Sequence, residues 1–344
     1  MAYTTIDNPV EYFNTKLYVG NGGTQSITGV GFAPDWVWTK NRSTADSHEL
    51  YDIVRGATKR LISHSTAAEN TETYFSSFDS DGFTLTGNGN SNGNGNNIVA
   101  WCWDANGAGV SNTAGTITST VSANTTSGFS IVSYTATSGT SSIGHGLGVA
   151  PSMIILKTRN QTGNWITGLS VNGWDNYLTL DTTNANVTDD RMFSPSAGTD
   201  PTSTLFWSNQ SAIGSAGTMI AYCFAEVKGY SKFGSYTGNA SNDGTFVYTG
   251  FKPAFIIMKR TGTADHWLIK DSVRDSYNVA DKRIYPNQSN AEDTSVNAAI
   301  DLLSNGFKHR SSNDLVNPVS EVCVYMAFAS SPFVSSKGIP TTAR

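Results

Sequence analysis

Charge is scarce in this 344-residue chain: only 14% of its residues are Asp, Glu, Lys or Arg, where roughly a quarter is usual. With 22 Lys and Arg against 27 Asp and Glu the formal charge is −5. That balance offers no basic surface for a phosphate backbone and argues against nucleic acid as a partner. Cysteine is scarcer still. Three scattered residues build neither a disulfide framework nor a metal site, and they fit synthesis in a reducing cytoplasm. Apolar stretches such as Met219–Ala225 and Val322–Ala329 are far too short to span a bilayer, so no membrane insertion is expected. Residues 1–13 (MAYTTIDNPVEYF) lack the basic start and apolar segment of a secretory leader. In place of charge the chain carries Ser, Thr, Asn and 33 Gly, the residues of turns and strand edges. Beside them stand 38% hydrophobic and 11% aromatic residues, enough to bury a large core.

One pattern recurs three times. An aromatic strand with a Gly/Asn/Ser-rich turn (Tyr18, Tyr134, Tyr236) leads to a Pro, and an apolar run from that Pro ends in Lys six residues on. The runs are Pro34 to Lys40 (PDWVWTK), Pro151 to Lys157 (PSMIILK) and Pro253 to Lys259 (PAFIIMK), and Arg42, Arg159 and Arg260 follow within two residues. About seventy residues after the Pro comes a closing apolar segment: IVAWCWDA (98–105), MIAYCFAE (219–226) and VCVYMAFA (322–329). The first and third copies also share Asp52/Arg55 with Asp271/Arg274, Lys59-Arg60-Leu61 with Lys282-Arg283-Ile284, and Glu69 with Glu292. Order, spacing and residue type together indicate an internal triplication.

The apolar segments are four to eight residues long, β-branched or aromatic, and bounded by Gly or Asn, which predicts strands covered on both faces. The expected fold is all-β: three tandem, jelly-roll-like β-sandwich domains at 17–105, 128–230 and 231–330. Residues 1–16 and 331–344 are read as terminal arms. Residues 106–127 are read as a linker, or as a strand added to a neighbouring edge. Residues 297–304 (NAAIDLLS) carry a short helical stripe worth a turn or two at most, and residues 87–97 (GNGNSNGNGNN) read as a flexible hairpin tip or surface loop that buries nothing.

The three copies act as an internal control on candidate chemistry, because a residue type held in all of them serves the fold rather than one active site. Cys102 and Cys223 share a slot at which the third copy is read to hold Met326, so thiol chemistry is not the common requirement. Asp52/Arg55 and Asp271/Arg274 read as structural ion pairs, with Ser170 and Gly173 at the matching places of the second copy. Trp165 and Trp267, opposite His48, read as core. The five His are dispersed, Gly144–Gly148 is followed by a strand rather than the helix of a nucleotide loop, and no Glu closes a calcium loop begun at Asp79. The adjacent Asp189 and Asp190 point to no cleft of the kind a glycosidase needs. No catalytic residue, metal site or cofactor is therefore expected. Four unmatched aromatics flanked by amides and carboxylates, Trp174, Tyr177, Trp207 and Tyr277, are the candidate ligand contacts, since such rings stack on sugar C–H faces while the polar neighbours bind hydroxyls.

The block GFxPxxxxxKxR at Gly31–Arg42, AYCFAE at 221–226, GYSKFGSYTGN at 229–239, FVYTGFKPAFIIMKR at 246–260 and MAFASSPFVSSKGIP at 326–340 together resemble a repeated domain of unknown function in predicted structural proteins of tailed bacteriophages, especially marine ones. The resemblance implies a virion protein, tail-fibre-like and non-enzymatic, whose partners are other virion proteins. On that basis the expected function is a tail-fibre or receptor-binding component made in the host cytoplasm and contacting host surface glycan. The alternative is a capsid decoration protein. Self-association is open under either reading.

Overall fold

The runs that follow each Pro form strands buried on both sides. Trp36–Asn41, Met153–Thr158 and the 253–259 portion of Phe251–Arg260 are buried at every position. The computed structural model describes residues 3–189, 191–209 and 217–341, and it is built almost wholly from antiparallel strands. In three large sheets an opening strand pairs with the closing strand, which pairs with the Pro–Lys strand, which pairs with the next strand along the chain. The first has the order Phe13–Val19, Asn97–Trp103, Trp36–Asn41, His48–Asp52; the second Phe129–Thr135, Thr218–Phe224, Met153–Thr158, Ile166–Leu169; the third Ser231–Thr237, Val322–Pro332, Phe251–Arg260, Leu268–Asp271.

A smaller sheet covers one face of each. Gln25–Thr28, Gly82–Leu85 and Phe75–Asp79 lie over the first, Thr140–Gly144 and Leu205–Asn209 over the second, and Phe246–Tyr248, Gly306–His309 and Ile300–Leu303 over the third. Each sandwich so formed has its own core, with Val37, Phe83 and Cys102 in the first, Ile154, Phe206 and Cys223 in the second, and Ile256, Phe307 and Ala327 in the third. The opposite faces of all three large sheets meet in one shared cluster. Trp36, Trp38, Trp101 and Trp103 join Met153, Ile155, Tyr222 and Phe224, and Phe255, Ile257, Met326 and Phe328. Successive residues of a strand point to opposite faces. A strand with a core on each side is therefore apolar on successive residues, as in the 153–156 and 254–258 runs, with polar residues such as Thr39 and Lys40 only near its end.

Equivalent residues define the centre of the shared cluster. Trp103, Phe224 and Phe328 stand opposite Trp36, Met153 and Phe255 in their sheets. The Phe328 ring centre lies 5.8 Å from Trp103 and 6.0 Å from Phe224, and Trp36 stacks on Tyr222 at 4.4 Å.

Several local readings change. The same register places Cys102, Cys223 and Ala327 opposite Val37, Ile154 and Ile256, so Ala327 rather than Met326 shares the cysteine slot. Residues 106–127 contribute Val110–Asn112 and Ser119–Asn124 to the edge of the second sheet. Residues 297–304 form only the end of a single 3-10 turn, Val296–Ala298, and then a strand whose Ile300 and Leu302 enter the third core. The Asn-rich loop is not a free surface loop: Ser91 and Asn92 are buried. The Asn92 amide donates to the Gly23 and Gly87 carbonyls at 2.7 and 2.9 Å and accepts from the Asn21 amide at 3.1 Å, so one side chain satisfies backbone groups that have no ladder partner.

Both terminal segments pack on the body. Phe13–Val19 begins within the first sixteen residues, Ile6 enters the shared core, and the Tyr3 hydroxyl donates to the Gly250 carbonyl at 2.8 Å. Asp7 accepts the Ser336 amide at 2.6 Å, which ties the N-terminal segment to the C-terminal one.

Candidate functional site

The Asp–Arg pair and the Glu that the sequence repeats in its first and third copies lie at the seams between sandwiches. At the first–second seam Asp52 and Arg55 form an ion pair with no side-chain exposure. Asp52 accepts the Tyr222 hydroxyl at 2.7 Å, and Arg55 reaches Glu69 at 3.2 Å, which also takes Arg159 at 2.9 Å. Burial raises the Glu69 carboxyl, but Arg159 and Arg55 outweigh it and hold the group below the usual range. The third–first seam repeats the arrangement. Asp271 pairs with Arg274 and accepts Trp101 Nε1 at 3.0 Å, while Glu292 joins Arg274 at 2.9 Å and Arg42 at 2.7 Å.

The second–third seam carries none of these charges. Strand register puts Leu169, not Ser170, in the slot of Asp52 and Asp271, and Met326 in the slot of Trp101 and Tyr222. The amides of Glu69 and Glu292 donate to the Arg159 and Arg42 carbonyls; here Asn186 donates to the Thr261 carbonyl at 2.8 Å. Thr261 thus stands where Arg42 and Arg159 stand. Arg260, one residue earlier, points to the other face and pairs with Glu321 and, at 3.5 Å, with Asp265.

Two further repeated slots also close seams. Trp165 Nε1 donates to the Ile62 carbonyl and Trp267 Nε1 to the Thr179 carbonyl, both at 2.8 Å. His48 takes that place at the third–first seam and faces the Tyr285 main chain, with no complete hydrogen bond at its Nε2. The Lys of each Pro–Lys strand is buried and held by carbonyls: Lys40 by Asn41, Asp46 and, across the seam, Ser289; Lys157 by Gly163 and, across the seam, Thr66; Lys259 by Arg260. Burial lowers all three ammonium groups to about 8.

The four aromatics singled out from sequence do not converge. Trp174 is 4% exposed and packs edge-on against Phe193 inside the second sandwich, which leaves no ring face for a sugar. Tyr177 packs partly buried against the same core. Trp207 lies half-buried opposite Ser142 on the small sheet. Tyr277 belongs to the third sandwich, 86% exposed beside a cavity of about 170 Å³ that Lys252, Asp275 and Asn278 help line. Asp189 is paired with Arg191, and Asp190 lies outside the described residues.

The remaining motifs serve local structure. Asp81 accepts the Gly29 and Gly31 amides at 2.9 and 2.7 Å, so Asp79–Gly82 is a capped turn. Glu49 and Glu72, a carboxylate pair missed in the sequence, share Arg60 at 2.7 Å each and the Tyr51 hydroxyl. Glu49 is buried beneath Asn90 and Ser91. Among the described residues no three His, Cys, Asp or Glu side chains gather as a metal site. The three cysteines are free and buried, and burial raises each thiol, Cys323 to about 12.

What the structure does bring together is an aromatic edge on the third sandwich. On Phe246–Tyr248, Val247 faces the core while Phe246 and Tyr248 are 43% and 54% exposed. Pairing of Ile27 with Phe83, Ile143 with Phe206 and Val247 with Phe307 makes Ser26 and Thr28, then Ser142 and Gly144, the equivalents in the other sandwiches. The Tyr3 hydroxyl lies 3.2 Å from that of Tyr248. Around them runs a groove of about 360 Å³ lined by Tyr3, Glu226, Lys228, Lys232, Tyr248 and Thr249. It adjoins a second of about 490 Å³ through Tyr3, Glu226 and Lys228. A third opening on this sandwich, about 710 Å³, is shallow and polar, with Asn242, Asn297, Arg310 and Asp314 on its walls. Sequence reasoning passed over Phe246 and Tyr248 because they sit inside a repeated block. The available signal was an apolar alternation, F-V-Y, where the other copies place Ser, Thr or Gly.

No curated protein and no solved structure matches the chain. One family model, described as a domain of unknown function (DUF7483), matches residues 8–332 as a single unit. That span takes in all three sandwiches and, Ile6 apart, their shared core, and the chain belongs to this family.

Proposed function

We propose that the chain is a non-enzymatic structural protein of a tailed-phage virion, a tail-fibre or receptor-binding component that contacts host surface glycan. The three sandwiches are read as products of an internal triplication; their matching strand order and the equivalent residues at their centre support that history. The observation that carries the functional reading is a division of labour among side chains. The repeated Asp–Arg pairs and the Glu beside each are taken up in seams, while the exposed rings of Tyr248 and Tyr277 border openings on one sandwich of the three. Such a body offers a rigid scaffold with a recognition face, and the sequence resemblance to tail-fibre-like proteins supplies the virion context.

A second reading, a capsid decoration protein, is favoured by the cyclic seams. Each sandwich contacts the next in the same sense, Trp165 on the first, Trp267 on the second and His48 on the third, so the body has the pseudo-threefold shape that suits a threefold position on a shell. Immunogold imaging of the phage particles that carry this chain distinguishes the two. Gold on the tail is the expected result, gold on the head favours decoration, and particles free of label overturn both. Host polysaccharide incubated with the purified protein is expected to release no reducing sugar.

A further inference from the structure

We propose that the trough between Tyr3 and Tyr248 binds an acidic saccharide, a sugar bearing a carboxylate or sulfate. This rests on the glycan-recognition reading above and assigns it a place and a ligand class.

The trough supplies each element that such a ligand requires. Tyr248 presents an exposed ring, with Phe246 two residues away on the same face of an edge strand. Aromatic rings of this kind stack on the apolar C–H face of a sugar. Tyr3 and Tyr248 add two hydroxyls that touch each other, and Thr5, Thr125 and Thr126 line the far end of the adjoining groove. Hydroxyls donate and accept, which suits sugar hydroxyls. The two connected openings, about 360 and 490 Å³, fall within the usual range of ligand clefts, about 300–1,000 Å³.

Charge sets the class. Two lysines face one carboxylate. Lys232 is paired with Glu226 at 3.0 Å, and Lys228 lies over the Tyr3 ring, 4.7 Å from its centre, with no ion pair of its own among the described residues. The wall therefore carries a net positive charge on a chain of net charge −5, a local feature that attracts an anionic group. The equivalent edges of the other sandwiches lack the platform. The first carries Ser26 and Thr28, and at the second Thr116 from the preceding segment bonds to Ser142. The trough also borders residues of the second sandwich, Thr125, Thr126 and Val149, and the N-terminal segment, so it exists only in the assembled chain.

The test uses the full chain and a panel of oligosaccharides ending in glucuronic, galacturonic or sialic acid or in a sulfated galactose, each beside its neutral counterpart, titrated by calorimetry with host-cell binding measured in parallel. At least one acidic member is expected to bind ten-fold or more tightly than its neutral partner, with affinity falling as salt rises. Tyr248→Ala and Lys228→Glu, both at exposed positions, are each expected to weaken it ten-fold or more at unchanged melting temperature; Phe246→Ala is a second ring variant. Equal binding of neutral partners overturns the acidic class and leaves glycan recognition standing. Saccharide binding indifferent to all three variants overturns the site alone. Host-cell binding without binding of any acidic member overturns the proposal, and absence of both overturns the glycan reading with it.

Discussion

Two seams of the molecule are charged and the third is not, yet all three join equivalent strands in the same way. At the first–second and third–first seams a buried Asp–Arg pair runs on to a Glu and a second Arg. At the second–third seam Leu169, Met326, Thr261 and Asn186 occupy the corresponding places, and the backbone bond from Asn186 to Thr261 is kept. Apolar packing and hydrogen bonds to the main chain, without a buried ion pair, are thus sufficient to hold such a seam. The ion chains satisfy charges that the other seams happen to bury, in keeping with the general finding that a buried salt bridge is replaceable by well-packed apolar residues but costly to break by halves.

That contrast can be broken from either side. The largest effect is expected where a buried charge loses its nearest partner. Asp52→Ala or Asp271→Ala leaves an arginine with no side-chain exposure only its second carboxylate, Glu69 or Glu292, and is expected to lower unfolding free energy by about 3–5 kcal/mol. Leu169→Asp, which buries a carboxylate at a seam with no arginine in the slots that hold Arg42 and Arg159 at the others, belongs to the same class. Chemical denaturation reads both, and a loss under about 1 kcal/mol at Asp271 would remove the distinction between seams. A smaller effect is expected from the seam hydrogen bonds. Trp165→Phe and Trp267→Phe keep an aromatic ring but remove the indole N–H that reaches across the seam to the Ile62 or Thr179 carbonyl, at about 1–3 kcal/mol each.

The subtlest difference is in pH. At the third–first seam His48 replaces the tryptophan, and burial first, then Lys40 and His64, hold its imidazole well below its ordinary value; Arg274 adds to the depression and the Tyr285 main chain opposes it. Trp38 Nε1 donates to its Nδ1 at 2.9 Å. A depressed histidine contributes stability that is complete above about pH 6.5 and is lost as pH falls, because the unfolded chain takes up the proton first. Melting temperature is expected to fall on acidification below pH 6.5, and His48→Phe is expected to flatten that fall; an unchanged slope would place the acid sensitivity elsewhere.

The strands could be read from sequence because burial on both faces forces unbroken apolar runs, and three matched runs are hard to mistake. Their common centre could not. A run apolar at every residue announces two cores without saying that one of them belongs to the whole molecule. Register was the second obstacle. Met326 for Ala327, Ser170 for Leu169 and Arg260 for Thr261 are slips of one residue, and each exchanges the two faces of a strand. Apolar runs lack internal landmarks that would fix the offset. The recognition face was legible only in part. Trp174 looked like a platform and is core, because composition around a ring does not tell which way it points. Phe246 and Tyr248, inside a repeated block, gained meaning only once strand pairing showed Ser26, Thr28 and Gly144 at the same places.

The three sandwiches share Trp36, Tyr222, Phe224, Phe255 and Phe328 in one cluster and are therefore expected to unfold together. Scanning calorimetry of the full chain measures this. A single transition whose calorimetric and van't Hoff enthalpies agree is the predicted result; two or three separate transitions, each with the enthalpy of one sandwich, would contradict it.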